Sequence, residues 1–204
     1  MQIKQFSLGQ LQTNCYIICK GSNCILVDPA DDASFLLEEL SRQNLNLIAM
    51  FATHGHFDHV LAVGEIQLSL KVPLYIHTKD LFLIKRLKET ASHFLIENQH
   101  ITPPSIIKFV PSGSFRLDGF KLKIIETPGH TPGGCCFYFR EERVLFTGDT
   151  LFKGTVGRTD LSYSNRQDLE VSLKKLFVLP VGTTVYPGHG EETIIGQEEP
   201  LYHF

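Results

Sequence analysis

The chain predicts an α/β fold in which two mixed β-sheets pack face to face with helices on the outside. Strand-like segments open it in hairpin-like groups and later alternate with helical ones, in each half of the sequence. No repeat, low-complexity tract or linker divides the 204 residues, so one domain spanning 1–204, with a large buried core, is expected. Hydrophobic content of 43% and charged content of 20% are those of ordinary soluble globular proteins.

Taken in order, strands are expected at Ile3 to Leu8, Thr13 to Cys19 and Cys24 to Val27, with Gly21-Ser22-Asn23 as a hairpin turn. Asp31 or Asp32 caps a helix whose Ala33, Leu36, Leu37 and Leu40 share one face. An apolar strand, Leu47 to Ala52, precedes a helical run from Val60 to Leu70. A short strand at Leu74 to Ile76 and a helix from about Lys79 to Phe94 follow, then a loop at Pro103-Pro104. Further strands are expected at Phe120 to Glu126, Cys136 to Arg140 and Val144 to Phe146, with Glu141-Glu142 as a tight turn. Ser164 and Gln167 fit a capping box for a helix carrying Leu169, Leu173, Leu176 and Phe177. The last strand, Thr184 to Tyr186, runs into Pro187-Gly188-His189-Gly190.

Charge and composition argue against several partners. The net charge is -3 and the 19 basic residues are scattered, so nucleic acid is not expected as a partner. No apolar stretch approaches the ~20 residues that span a bilayer, and the N-terminus reads as a strand, not as a signal peptide. Five cysteines without an export signal point to reduced thiols and a cytoplasmic location. All five are read as packing residues, one of Cys135-Cys136 pointing into the core.

The chemistry sits at strand ends. Between an apolar strand and a helical run stands Thr53-His54-Gly55-His56-Phe57-Asp58-His59, which holds four metal-ligand side chains. Imidazole suits zinc and iron, while carboxylate suits harder ions, so the mixed set favours zinc, with iron or manganese as alternatives. Three more strand-end loops carry ligand types: Thr127-Pro128-Gly129-His130-Thr131-Pro132-Gly133, Thr147-Gly148-Asp149-Thr150 and Pro187-Gly188-His189-Gly190. A single Pro-Gly-His is an ordinary turn. Two of them, with Thr-Gly-Asp-Thr and the heptad, are not assigned to chance.

From about Leu11 to Gly196 the chain resembles the metallo-β-lactamase superfamily, and within it the glyoxalase II-like (hydroxyacylglutathione hydrolase-like) enzymes, with these motifs in the family's order. The resemblance implies a four-layer αββα sandwich with a dinuclear metal site in a cleft at one edge. It implies that His54, His56 and His130 hold one metal, that Asp58, His59 and His189 hold the other, and that Asp149 bridges them. Zinc-type β-lactamases carry Cys or Ser where Asp149 stands, so β-lactam hydrolysis is not expected. Gly157-Arg158-Thr159-Asp160 resembles the short glyoxalase II-like enzymes and also the persulfide dioxygenases. Arg158 is a candidate substrate contact through its planar fork, and an Arg158–Asp160 ion pair that merely holds the loop is the competing reading.

Two departures bear on the substrate. The chain ends fifteen residues after His189, without the C-terminal helical domain that completes the glutathione pocket in longer relatives. Leu161-Ser162-Tyr163-Ser164-Asn165 replaces the Pro-Gly-Gly-type continuation of the short enzymes, and Tyr163 is read as a surface aromatic. His77, His93, His100 and His203 have no partner at ligand spacing. Asp28 is held as an orienter of a ligand imidazole.

Two cations about 3.5–4 Å apart can share one water and lower its pKa toward neutrality. The hydroxide so formed would attack a carbonyl carbon, with Asp58 orienting it, and a thiolate leaves without a dedicated acid. The expected activity is therefore hydrolysis of a small-molecule thioester such as S-lactoylglutathione. The rival is a mononuclear iron persulfide dioxygenase. A phosphodiesterase or nuclease would need a basic face that the chain lacks.

Overall fold

The computed structural model describes residues 1–95 and 101–202. Six strands form the first sheet in chain order: β1 (Gln2–Leu8), β2 (Thr13–Lys20), β3 (Asn23–Val27), β4 (Asn46–Phe51), β5 (Leu74–Ile76) and β6 (Ile107–Phe109). The hairpins β1–β2 and β2–β3 are antiparallel, and β3 to β6 run parallel. The second sheet contains β7 (Gly113–Leu117), β8 (Phe120–Glu126), β9 (Cys135–Phe139), β10 (Val144–Gly148), β13 (Thr184–Pro187) and β14 (Thr193–Ile194), in the order β14-β13-β10-β9-β8-β7. Among the described residues only β10 and β13 pair in parallel there. A small ribbon, β11 (Leu151–Phe152) with β12 (Thr155–Val156), follows β10.

Period-two alternation builds the layers. Tyr16, Ile18, Ile25, Val27, Ala49 and Phe51 of the first sheet meet Phe120, Leu122, Ile124, Phe137, Phe139 and Phe146 of the second. The residues between them, Ile17, Cys24, Leu26 and Met50, face outward against α1 (Ala33–Arg42), α2 (Val63–Ser69) and α4 (Leu87–Phe94). On the other side Cys136, Tyr138, Leu145 and Val185 pack under Leu169, Leu173 and Leu176 of α5 (Arg166–Phe177). The expected αββα sandwich is the observed fold. Among the described residues no helix is long and apolar enough to cross a membrane.

Local readings needed three corrections. The helix expected from Lys79 breaks at Arg86 (φ −97°, ψ 9°) into α3 (Leu81–Lys85) and α4, and Ile84, Leu87 and Ala91 all reach the same outer core. The cap of α5 is Asn165, whose side chain accepts from the Asp168 N–H at 3.0 Å, while Ser164 donates to the Leu161 carbonyl instead. Both Cys135 and Cys136 are buried, because β9 is covered on both faces and its alternate side chains enter different cores.

All five thiols are free and buried, and burial pushes Cys15, Cys24 and Cys136 up to about 12. A native sample treated with a thiol reagent at neutral pH is expected to label negligibly, and all five cysteines should label in denaturant. Rapid labelling of the native protein would contradict this packing.

Candidate metal centre

Four strands deliver the candidate ligands to one edge of the sandwich. β4 ends in the heptad, β8 in the His130 loop, β10 in Asp149 and β13 in His189. The two sheets are sewn together there. Asn14 N–H donates to the Gly188 carbonyl (2.7 Å), the Tyr16 hydroxyl to the Pro187 carbonyl (2.6 Å) and Cys135 N–H to the Thr53 carbonyl (2.8 Å). Gly188 is required by close approach, since a Cβ there would lie 2.3 Å from Asp149 Oδ1 and 2.7 Å from His59 Cε1.

The side chains converge in two sets, each with its ligand atoms within 4.8 Å of one another: His54, His56, His130 and Asp149, and Asp58, His59 and His189. His56 Nδ1 lies 2.9 Å from His54 Nε2 and 3.0 Å from His130 Nε2. Asp149 stands between the sets, with Oδ2 3.5 Å from His130 Nε2 and 3.8 Å from His189 Nε2, and Oδ1 3.4 Å from His59 Nε2. Asp58 Oδ2 lies 3.4 Å from His189 Nε2 and accepts from the Thr13 hydroxyl at 2.8 Å.

The donor set fits metal ions. His59 Nε2 and Asp149 Oδ1 are buried, lie 3.4 Å apart and have no hydrogen-bond partner among the described residues, an arrangement that an ion between the sets would satisfy. The outer ring nitrogens support the same reading. His59 Nδ1 bonds Asp28 (3.0 Å), His54 Nδ1 bonds the Thr53 hydroxyl (3.1 Å), His130 Nδ1 bonds the Arg158 carbonyl (2.9 Å) and His56 Nε2 bonds the Tyr163 hydroxyl (2.7 Å). Each ring that gives its proton to that outer oxygen turns a lone pair inward.

Two buried carboxylates stand behind the ligands. Asp28, 1% exposed, accepts from the Thr53 N–H (2.7 Å), the Thr53 hydroxyl (2.8 Å) and His59. Its place at the end of an apolar strand marked it beforehand. Asp80, fully buried, accepts from Gly55 N–H (2.9 Å), the Thr131 hydroxyl (2.7 Å) and Gly133 N–H (2.6 Å), and so joins the heptad to the His130 loop. Sequence reasoning missed Asp80, Thr13 and the contact of Tyr163, because nothing local to them carries a ligand pattern.

Arg158 and Asp160 form a two-pronged ion pair, 2.7 Å on each arm, with both side chains exposed. Arg158 thus reaches the centre through its carbonyl, on His130, and not through its guanidinium. His77 accepts from Lys79 N–H at the rim, His93 is exposed, and His100 and His203 lie outside the described residues. A separate cavity of about 500 Å³, lined by Asp31, Asp32, Ser34 and Glu65 among others, contains none of the seven candidate ligands.

Without metal the imidazoles divide by charge. Burial first, and then the neighbouring rings, hold His54 well below its ordinary range and His56 down to about 3. Burial also opposes a charged His59, yet Asp58, Asp28 and Asp149 hold it well above 6.5, and Asp58 and Asp149 raise His189 in the same way. Below pH 6.5 the unfolded chain takes up protons on His54 and His56 that the folded chain refuses, so stability falls with falling pH. Above 6.5 the folded chain keeps protons on His59 and His189 that the unfolded chain has lost, so stability falls with rising pH. Chelated protein is therefore expected to melt highest near pH 6.5, and a melting temperature that climbs steadily to pH 9 would contradict this division.

A family model described as the metallo-beta-lactamase superfamily matches residues 8–189. The hydroxyacylglutathione hydrolase GloC of Haemophilus influenzae is 35% identical, over 98% of this chain and 95% of its own length. Among solved structures, TTHA1623 in a di-iron-bound form has a TM-score of 0.88 at 38% identity, covering 96% of each chain. BLEG-1, a B3 metallo-beta-lactamase, has a TM-score of 0.88 at 35% identity, covering 98% of this chain and 97% of its own. A matched span that includes every candidate ligand, on the expected sandwich, places the chain in the metallo-beta-lactamase superfamily.

Proposed function

We propose that this chain is a metal-dependent thioester hydrolase whose substrate is an S-acylglutathione such as S-lactoylglutathione. The observation that carries the reading is Asp149, set between two histidine-rich groups, each of which could hold a cation. Similarity to GloC supports the substrate class. His54, His56 and His130 would hold one divalent ion and Asp58, His59 and His189 the other, with Asp149 shared and zinc the expected metal. Bound there, the metal pair supplies Lewis acidity, which lowers the pKa of water and polarises a carbonyl oxygen.

The chain's own residues do the rest. The Thr13 hydroxyl anchors Asp58 through Oδ2, the oxygen that also faces His189 and His59, and so fixes the carboxylate that would orient the attacking water and take its proton. Burial works to raise the Asp58 carboxyl, but His59, His189 and Thr13 bring it below its ordinary range, so it stays an acceptor at neutral pH. Asp28, Thr53 and the Arg158 carbonyl keep the imidazoles oriented. The departing thiol has an ordinary pKa of about 8.5, so its thiolate leaves without a positioned acid.

The test is metal analysis of the protein as purified, with parallel assays on S-lactoylglutathione, on glutathione persulfide by oxygen uptake, and on a β-lactam. About two metal ions per chain and thioester hydrolysis are expected, as a metal-pair mechanism requires. One iron with oxygen consumption, or turnover of the β-lactam alone, would overturn the proposal.

A further inference from the structure

Three of the four oxygens on the outer ring nitrogens have a set direction. The Asp28 carboxylate and the Arg158 carbonyl can only accept. The Thr53 hydroxyl gives its proton to Asp28 and therefore accepts from His54. The fourth, the Tyr163 hydroxyl 2.7 Å from His56 Nε2, comes from a turn that supplies no ligand.

That turn is well anchored. The Ser164 N–H and hydroxyl both bond the Leu161 carbonyl, and the next residue, Asn165, donates its N–H to the Gly129 carbonyl of the His130 loop at 2.7 Å. The Tyr163 ring meets the edge of Phe82 at a centroid distance of 5.5 Å and tilts toward the His56 ring at 5.9 Å. The phenol is half-buried, so its own proton can go to water while its oxygen takes the His56 proton.

We propose that Tyr163 is the positioning residue for His56, holding that ring with its proton on Nε2 and its Nδ1 lone pair turned toward His54 and His130. Without the phenol oxygen, His56 is the member of the trio free to put its proton on Nδ1, where it would block an ion. The proposal rests on reading the trio as metal ligands, and it does not depend on the thioester.

Two variants separate the hydroxyl from the ring: Tyr163→Phe removes only the oxygen, and Tyr163→Ala also removes the contact with Phe82. Chelated proteins are titrated with zinc chloride by calorimetry, and histidine ring tautomers are read by nitrogen NMR. Tyr163→Phe is expected to weaken one zinc-binding event about 10–100-fold, with the other changed less than about twofold. His56 should pass from the Nε2–H form to a mixture, while the melting temperature of metal-free protein stays unchanged. Tyr163→Ala should weaken zinc no more than Tyr163→Phe does. Wild-type zinc affinity and His56 ring shifts in Tyr163→Phe would overturn the proposal, as would a loss confined to Tyr163→Ala. Neither readout involves turnover, so a failed thioesterase assay is distinguishable from a failure here.

Discussion

Asp58→Ala is expected to lower kcat for thioester hydrolysis about 10²–10⁴-fold, the range lost when a positioned proton acceptor is removed. Asp58 sits at the rim of the cluster, 12% exposed at its side chain, and its anchoring bond comes from Thr13. Its loss leaves the buried Thr13 hydroxyl without its acceptor and His59 without one of three neighbouring carboxylates, so a moderate loss of stability, about 1–3 kcal/mol, accompanies the loss of activity. Asp58 also belongs to the set with His59 and His189, so metal bound by that set should weaken, while the set around His54 keeps its ion. Asp58→Asn separates the two contributions, because an amide can still face a metal but cannot take a proton. Activity is measured at saturating metal, with bound metal counted on the same sample. Full activity in Asp58→Ala would remove the proposed mechanism.

The largest loss of stability is expected from Asp28→Ala, about 3–5 kcal/mol, the usual cost of breaking a buried ion pair from one side. Three donors would be stranded where Asp28 now accepts: the Thr53 N–H, the Thr53 hydroxyl and His59 Nδ1. The pair is dry, with side chains 0% and 1% exposed. Asp28 also has φ 51°, a backbone conformation that asparagine tolerates better than alanine. Asp28→Asn is therefore the milder change, since its carbonyl can still serve Thr53 while its NH₂ opposes the His59 N–H. Denaturant melts of the chelated proteins should rank wild type above Asn and Asn above Ala. Zinc affinity should fall about 10–100-fold in the Asn variant, because His59 loses the anion behind it. Equal melts for all three would show that Asp28 is not the anchor of this corner.

Much of this was legible because it is local. Continuous apolar runs marked β2 and β4, which are covered on both faces, and alternation marked β8, whose pleat puts every second side chain between the sheets. The ligands were legible for a related reason: His54, His56, His130, Asp149 and His189 each stand beside glycine a few residues past an apolar strand, and Asp58 and His59 complete the heptad that begins there. Short polar strands such as β7 and β14 gave no such signal. Nor could spacing choose Asn165 over Ser164 as the cap, since both residues can do it and one residue of register separates them.

Residue types and order along the chain, with the family resemblance they carry, were enough to name the sandwich and the seven converging side chains. They left open what stands behind each side chain. That Arg158 turns its fork to Asp160 and lends its carbonyl to His130, that Asp80 ties two ligand loops, and that Tyr163 reaches His56 across 107 residues emerge only when the loops meet at the sandwich edge. A ligand is recognised by its own chemistry, whereas a hydrogen-bond partner is selected by distance and direction, and those exist only once the sheets have packed.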